Sequence, residues 1–518
     1  MAAPMHRPPL CRPLLAALGL LAALGLQPQA RALEEVVMEL PLLHTTLHIP
    51  LREFRSPQAM LQGNSDLAEL DRASRGAVGE ALLKVFNHRL PLTVNRMAST
   101  SVGSPLLEQA LMVVASLGRI EGRPTDTSGE TLELSLRRAA AAAPDGQPTL
   151  LQLMQAIPGK RVYLNLSLAL EGLQRTLAQR RQAEQLLAKA TPSPVPPPPA
   201  GRLPTTAPVL RSTVQLPAAH RPQPLQVLLL EPAGTSNGRL VLISHGLWDS
   251  PINFEGWGLR LASQGYTVVL PWHPGSDQQQ QREVLTGSAP PPSPQELALR
   301  PLDLKVVLDA VGSGQLKTRH PVDGSRAVVL GHSWGATTSL QLAGLVPTDS
   351  SLLRRCGNIK DPERNLSWTL QCSWASAANQ AAASDDRVIA VVAVSPPMSL
   401  LFPRDAGHDL NARVLVVSGT QDWVVPPDPE AIHPLQMNHP HSHQLVLVKG
   451  GDHFNLRPRD QADGGVLGNL IQAWSDAAFA AGPRVKSAPG VPVLLPPGAW
   501  GSAAMPMADV SSALPSAR

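Results

Sequence analysis

The chain is expected to fold as an α/β protein: a mostly parallel, eight-stranded sheet covered by helices, preceded by a smaller, mainly helical N-terminal domain. Three observations carry that expectation. From about residue 206 onward, short apolar runs rich in β-branched residues alternate with helical patterns, the rhythm of parallel strands joined by crossover helices. A strand-like run, Arg326–Leu330, meets a helix-like run, Ala336–Leu345, through Gly331-His332-Ser333-Trp334-Gly335. Finally, Ser333, Asp422 and His453 follow in that order, each just beyond a strand-like run. Open α/β sheets gather their functional groups at such strand ends.

The elements take up the chain in sequence. Residues 1–32 read as an export signal: Arg7 and Arg12 precede the apolar stretch Leu14–Leu26, and Ala30 and Ala32 fit a small-x-small cleavage rule, so that the mature chain starts at Leu33. Thirteen apolar residues fall short of the roughly 20 that a membrane span needs. Export would place the protein in a periplasm, a thylakoid lumen or outside the cell. Residues 33–190 form the N-terminal domain, opening with a hairpin of Val36–Leu40 and Thr45–Ile49 and continuing with helical patterns that include Leu106–Leu117 and Leu173–Leu187. Residues 191–205 begin with the proline run Thr191–Pro199, a stiff linker. The second domain spans 206–483, and a Pro/Gly/Ala/Ser-rich tail from 484 to 518 reads as disordered.

Within 206–483, Arg211–Leu216 and Leu225–Leu230 are an antiparallel opening pair. Val241–Ser244, Tyr266–Leu270, Ala327–Leu330, Val388–Ser395, Val414–Ser418 and Gln444–Val448 supply six further strands. A segment of about forty residues, 347–386, is inserted between the Ser333 helix and the next strand, where a lid over a pocket would sit. It carries Leu352, Leu353, Trp368, Leu370 and Trp374, and the two cysteines that remain after signal removal, Cys356 and Cys372. In an exported chain that even remainder suggests one disulfide; two buried free thiols are the alternative.

The chemistry follows from residue types at these places. Gly-x-Ser-x-Gly between strand and helix is a nucleophile elbow, a turn so tight that the flanking positions tolerate little beyond glycine. It lifts the Ser333 hydroxyl above the sheet. A serine hydroxyl is a weak nucleophile at neutral pH, so His453, on the glycine-loosened loop Lys449–Phe454, is the candidate general base. Asp422 is the candidate acid that fixes the imidazole tautomer. Asp452 is a rival, but it adjoins His453 and follows the wrong strand. The His245-Gly246-Leu247 turn after Val241–Ser244 supplies an oxyanion donor, the Leu247 N–H, partnered by the N–H of Trp334. The run His439, His441 and His443 lacks nearby acidic or cysteine ligands and is interrupted by Pro440, which argues against a metal site. No cofactor is expected.

The stretches Leu242–Asp249, Leu261–Tyr266 and His273–Asp277 resemble the platelet-activating-factor acetylhydrolase and predicted dienelactone-hydrolase-like group of α/β-hydrolases, over roughly residues 206–480. The opening hairpin and the Pro91–Arg96 region resemble an uncharacterised domain that precedes such hydrolases in cyanobacteria. The resemblance implies ester hydrolysis by a serine triad without a cofactor, with Ser333, Asp422, His453 and Leu247 on the motif positions. Two departures stand out. Dienelactone hydrolases use a cysteine where this chain has Ser333, and many relatives have Gly-Gly where it has Gly335-Ala336.

Composition narrows the alternatives. A net charge of +4 with interspersed signs, no basic stripe and only 3% aromatic residues argue against a nucleic-acid partner. The expected substrate is a small-molecule or lipid ester. Peptidase or amidase action on the same fold, and a binding or scaffold protein with a vestigial hydrolase domain, are the competing readings. The N-terminal domain is expected either to gate the site or to dock the protein peripherally at a membrane.

Overall fold

The computed structural model describes residues 33–40, 45–90, 93–124, 126–143, 145–197, 207–404, 406–407, 410, 412–438, 443–458, 461–481, 494–495 and 498–514. The export signal, His439 and His441 lie outside them. The chain divides into two compact units. One is drawn from the described residues up to 91 with 118–125 and 134–164, the other from 92–117, 126–133 and 165–518.

The first unit contains a four-stranded sheet in the order β2-β1-β4-β3. The expected hairpin is its opening: β1 (Glu35–Leu40) pairs antiparallel with β2 (Thr45–Pro50), from Glu35 opposite Pro50 to Leu40 opposite Thr45. β3 (Gly118–Ile120) and β4 (Arg161–Asn165) complete the sheet. At three and five residues they are too short for a period-two pattern to stand out. Helices pack Leu51, Phe54, Met60 and Leu67 into a small core on this sheet.

The second unit holds a nine-stranded sheet, β13-β12-β11-β10-β9-β7-β8-β6-β5. Its strands are β5 (Val209–Leu216), β6 (Leu225–Pro232), β7 (Leu240–Ser244), β8 (Thr267–Pro271), β9 (Ala327–His332), β10 (Val388–Val394), β11 (Arg413–Gly419), β12 (Gln444–Val448) and β13 (Met507–Asp509). The run from β8 through β7 to β12 is parallel, whereas β5, β6 and β13 run antiparallel to their neighbours. Side chains alternate between the faces of a strand, so Ala327 and Val329 enter one core while Val328 and Leu330 enter the other. Burial on both faces explains why these strands read as continuous apolar runs.

Two expected boundaries need correction. The helices Pro105–Ser116 and Leu166–Leu187 belong to the second unit, not to a separate domain over 33–190. Ala183, Leu186 and Leu187 join its core beside Leu216 and Leu225. The described part of the tail also does not fit a disordered segment. Met507–Asp509 add the ninth strand, with Met507 opposite Val448, and the Lys449 N–H donates to the Pro506 carbonyl at 2.8 Å. Three strand residues between prolines give no pattern, and only pairing with β12 makes them a strand. The proline-rich stretch is fastened to the same segment, since the Ser193 N–H donates to the Met507 carbonyl at 2.8 Å. Among the described residues no helix is long and apolar enough to cross a membrane.

Candidate active site

Ser333 sits between the end of β9 and the helix Trp334–Ala343, at φ 55° and ψ −125°. A positive φ at a residue with a Cβ is a strained backbone that surrounding structure must enforce. The enforcement is steric. A Cβ at Gly331 would strike the Gly335 carbonyl, and one at Gly335 would strike the Ser244 carbonyl of β7. The two motif glycines therefore let the turn close on itself and let the helix approach the neighbouring strand. Among the described residues the Ser333 hydroxyl forms no hydrogen bond, with His453 or with any other group.

Asp422 and His453 leave the adjacent strands β11 and β12. The loops cross closely: a Cβ at Gly419 would collide with the Gly451 carbonyl, the same carbonyl that accepts from the Gln421 N–H at 2.8 Å. This approach brings the Asp422 Oδ2 to 3.0 Å from His453 Nδ1. The other carboxylate oxygen accepts from the Val424 and Val425 N–H groups at 3.0 and 2.8 Å, which fixes the carboxylate in one orientation. The rival, Asp452, instead accepts from the N–H groups of Phe454 and Asn455, capping the turn after His453.

His332, the second residue of the elbow, is buried against His453, with ring centroids 4.7 Å apart. Its Nε2 lies 2.9 Å from the His453 carbonyl oxygen, so Nε2 carries the proton and donates. Burial, with His453 and Arg457 nearby, holds its pKa well below the usual value. It acts as a neutral prop for the His453 loop.

Below the oxyanion turn lies a polar network that no local sequence pattern announced. Arg300 is completely buried. Its guanidinium donates to the His245 carbonyl, to Ser276 Oγ at 3.0 Å and to Thr338 Oγ1 at 3.3 Å, and it lies 4.8 Å from the centre of the Trp334 ring. One side chain thus touches both elements that carry the candidate oxyanion donors, Leu247 and Trp334. Burial lowers the Arg300 pKa to about 9, which leaves it charged at neutral pH. Asp303 accepts from Arg221, His220 and His273. Burial alone would raise its pKa, but these hydrogen bonds outweigh burial and hold the carboxyl below the usual range. His273 receives the Ser244 hydroxyl at 2.9 Å, and burial followed by Arg300 pushes its pKa down to about 3. His245 accepts from the His273 N–H at 3.1 Å and donates from Nδ1 to the Gly246 carbonyl at 2.8 Å. It is a neutral turn residue, and Leu247 and Trp334 have no backbone partner for their N–H groups among the described residues.

The inserted segment is tied down rather than loose. Cys356 and Cys372 form a disulfide that spans 16 positions. Buried Glu430 accepts from Asn365, Ser367 and Gln371 of the insertion and from Met398, Ser399 and the Ser399 hydroxyl after β10. Leu352, Trp368, Leu370 and Trp374 are buried in the core, whereas Leu353 points outward at 71% exposure. Trp374 packs on Trp334, with ring centroids 5.1 Å apart.

The strand order, the elbow and the loop pair agree with one comparison. Residues 240–467 match the alpha/beta hydrolase family. The matched span runs from the start of β7 to beyond His453, and therefore holds Ser333, Asp422, His453, Leu247 and Trp334, with His245, His273, Arg300 and Asp303 of the network below them, while His220 and Arg221 lie before it. A search of curated proteins finds no match to the chain. The second unit extends beyond the matched span at both ends, through β5 and β6 on one side and β13 on the other.

Proposed function

We propose that the protein is an exported serine hydrolase that cleaves carboxylic esters, on small-molecule or lipid substrates, through an acyl-enzyme. The observation that carries this reading is the strained Ser333 elbow beside a carboxylate-oriented imidazole. In the proposed cycle Ser333 Oγ attacks the ester carbonyl carbon while His453 Nε2 takes the hydroxyl proton. The N–H groups of Leu247 and Trp334 hold the resulting oxyanion. Collapse breaks the carbonyl–alkoxide bond, and the proton passes from His453 to the leaving alcohol. Water then repeats the sequence on the acyl-enzyme, releasing the acid and restoring Ser333. Asp422 keeps the Nδ1–H tautomer and stabilises the imidazolium. Export rests on the signal-like residues 1–32, and the disulfide suits an oxidising compartment. The resemblance to the platelet-activating-factor acetylhydrolase group narrows the substrate class only to esters.

The test is hydrolysis of p-nitrophenyl esters from acetate to palmitate by the purified protein, beside Ser333→Ala and matched anilides. Ester cleavage that disappears in the variant, with an organophosphonate adduct on Ser333 by mass spectrometry, is the expected result. Preferential anilide cleavage would make the protein an amidase. Failure of both turnover and Ser333 labelling would make the domain a non-catalytic one.

A further inference from the structure

Aromatic residues make up 3% of this chain, and nearly all are buried or half-buried. Among the described residues only two aromatic side chains are exposed, Trp423 at 54% and Phe454 at 42%. They are the residues immediately after Asp422 and His453. Their ring centroids lie 6.4 Å apart at 55°, so they form one continuous apolar ledge from two loops. Phe454 stands edge-on to the His453 ring, with centroids 5.5 Å apart at 86°. Its other flank is taken by the Arg457 guanidinium, 5.3 Å from the ring centre, which donates to Asp249 at 2.8 Å. Asp249 lies two residues beyond Leu247, so the ledge is braced against the oxyanion turn.

Two adjoining exposed aromatic rings beside a catalytic candidate make a contiguous apolar patch suited to a ligand, and proton delivery indicates which part of an ester it would meet. The group that protonates the departing alkoxide has to lie beside it. The ledge touches that group, His453, and so it borders the alcohol half of the substrate rather than the acyl half. The ledge offers aromatic carbon to that half, and the Arg457 cation beside it is already paired with Asp249, so the group that fits is an apolar, uncharged alcohol. We propose that Trp423 and Phe454 form the leaving-group subsite and select esters of apolar alcohols. This inference rests on the serine-esterase reading above.

Two substrate series separate the possibilities: acetates of methanol, butanol, hexanol and 2-naphthol, which vary the alcohol, and methyl esters from acetate to octanoate, which vary the acid. In the Trp423→Ala/Phe454→Ala double variant, kcat/KM for hexyl and naphthyl acetate should fall about tenfold relative to methyl acetate, mainly through KM. That factor is what burial of one or two methylene groups contributes. The acid series should keep its ordering, and Trp423→Phe/Phe454→Leu should restore most of the alcohol preference. Thermal unfolding of both variants checks that the fold is kept. A selective change in the acid series, or an equal loss on every ester, overturns the subsite. Ser333→Ala reports separately on the underlying reading: if it retains ester turnover, the serine mechanism fails whatever the ledge does.

Discussion

Three histidines, His245, His273 and His332, are buried and neutral, and each is held there by a named hydrogen bond. Their pKa values all lie below the ordinary one, burial being the largest cause in each. Mild acid should therefore destabilise the second unit. In the unfolded chain each imidazole takes up a proton near pH ~6.5, whereas the folded protein keeps it off until far lower pH. Between those values the unfolded state binds more protons, so stability falls as pH falls. From pH ~7 to ~5.5 the linkage amounts to about 1.2 kcal/mol per histidine and about 4 kcal/mol for three. Asp303, whose folded pKa is depressed, adds a loss in the same direction only below pH ~4, as its carboxylate is protonated. Urea unfolding at pH ~7, ~6 and ~5.5 measures the effect, read by the fluorescence of the buried Trp334 and Trp374. In a His332→Asn variant the slope of stability against pH should shrink by about a third. A stability that stays flat across this interval would refute the assignment of these imidazoles as neutral in the fold.

Replacing Asp422 by Asn keeps the shape but offers His453 an amide that can stabilise the wrong tautomer. Steady-state kinetics should show kcat falling on the order of 10⁴-fold with KM little changed. Gly335→Ala sets a Cβ against the Ser244 carbonyl, a rigid backbone atom, so soluble expression and organophosphonate labelling of Ser333 should both collapse. A Cys356→Ala/Cys372→Ala variant, compared with the wild type by urea denaturation, should lose about 3 kcal/mol from loop closure across the 16-position span.

The parallel strands were legible because burial on both faces leaves uninterrupted β-branched runs; Gln444–Val448 has the expected bounds and Ala327–His332 runs two residues longer. The elbow was legible because its glycines are a steric requirement of one local turn. Asp422 could be preferred over Asp452 because strand ends are predictable places. Arg300 could not be found this way. Its partners, His245, Ser276 and Thr338, lie 24 to 55 positions away, and only the folded sheet brings them together. The same holds for Gly419, whose close approach to Gly451 depends on two adjacent strand ends. The helices at 105–116 and 166–187 were readable as helices, but an apolar stripe does not name the core it joins. The ninth strand was hidden because three residues cannot display a period.

That ninth strand bears on the order in which the protein is made. Until residues 507–509 leave the ribosome, β12 is the open margin of the sheet, and the Lys449–Gly451 turn that leads to His453 lacks its neighbour at Pro506. The elbow and the acid loop are synthesised first and can settle early; the imidazole's support arrives only with the later segment around Pro506. Maturation of the candidate site is thereby coupled to the pairing of β13 with β12.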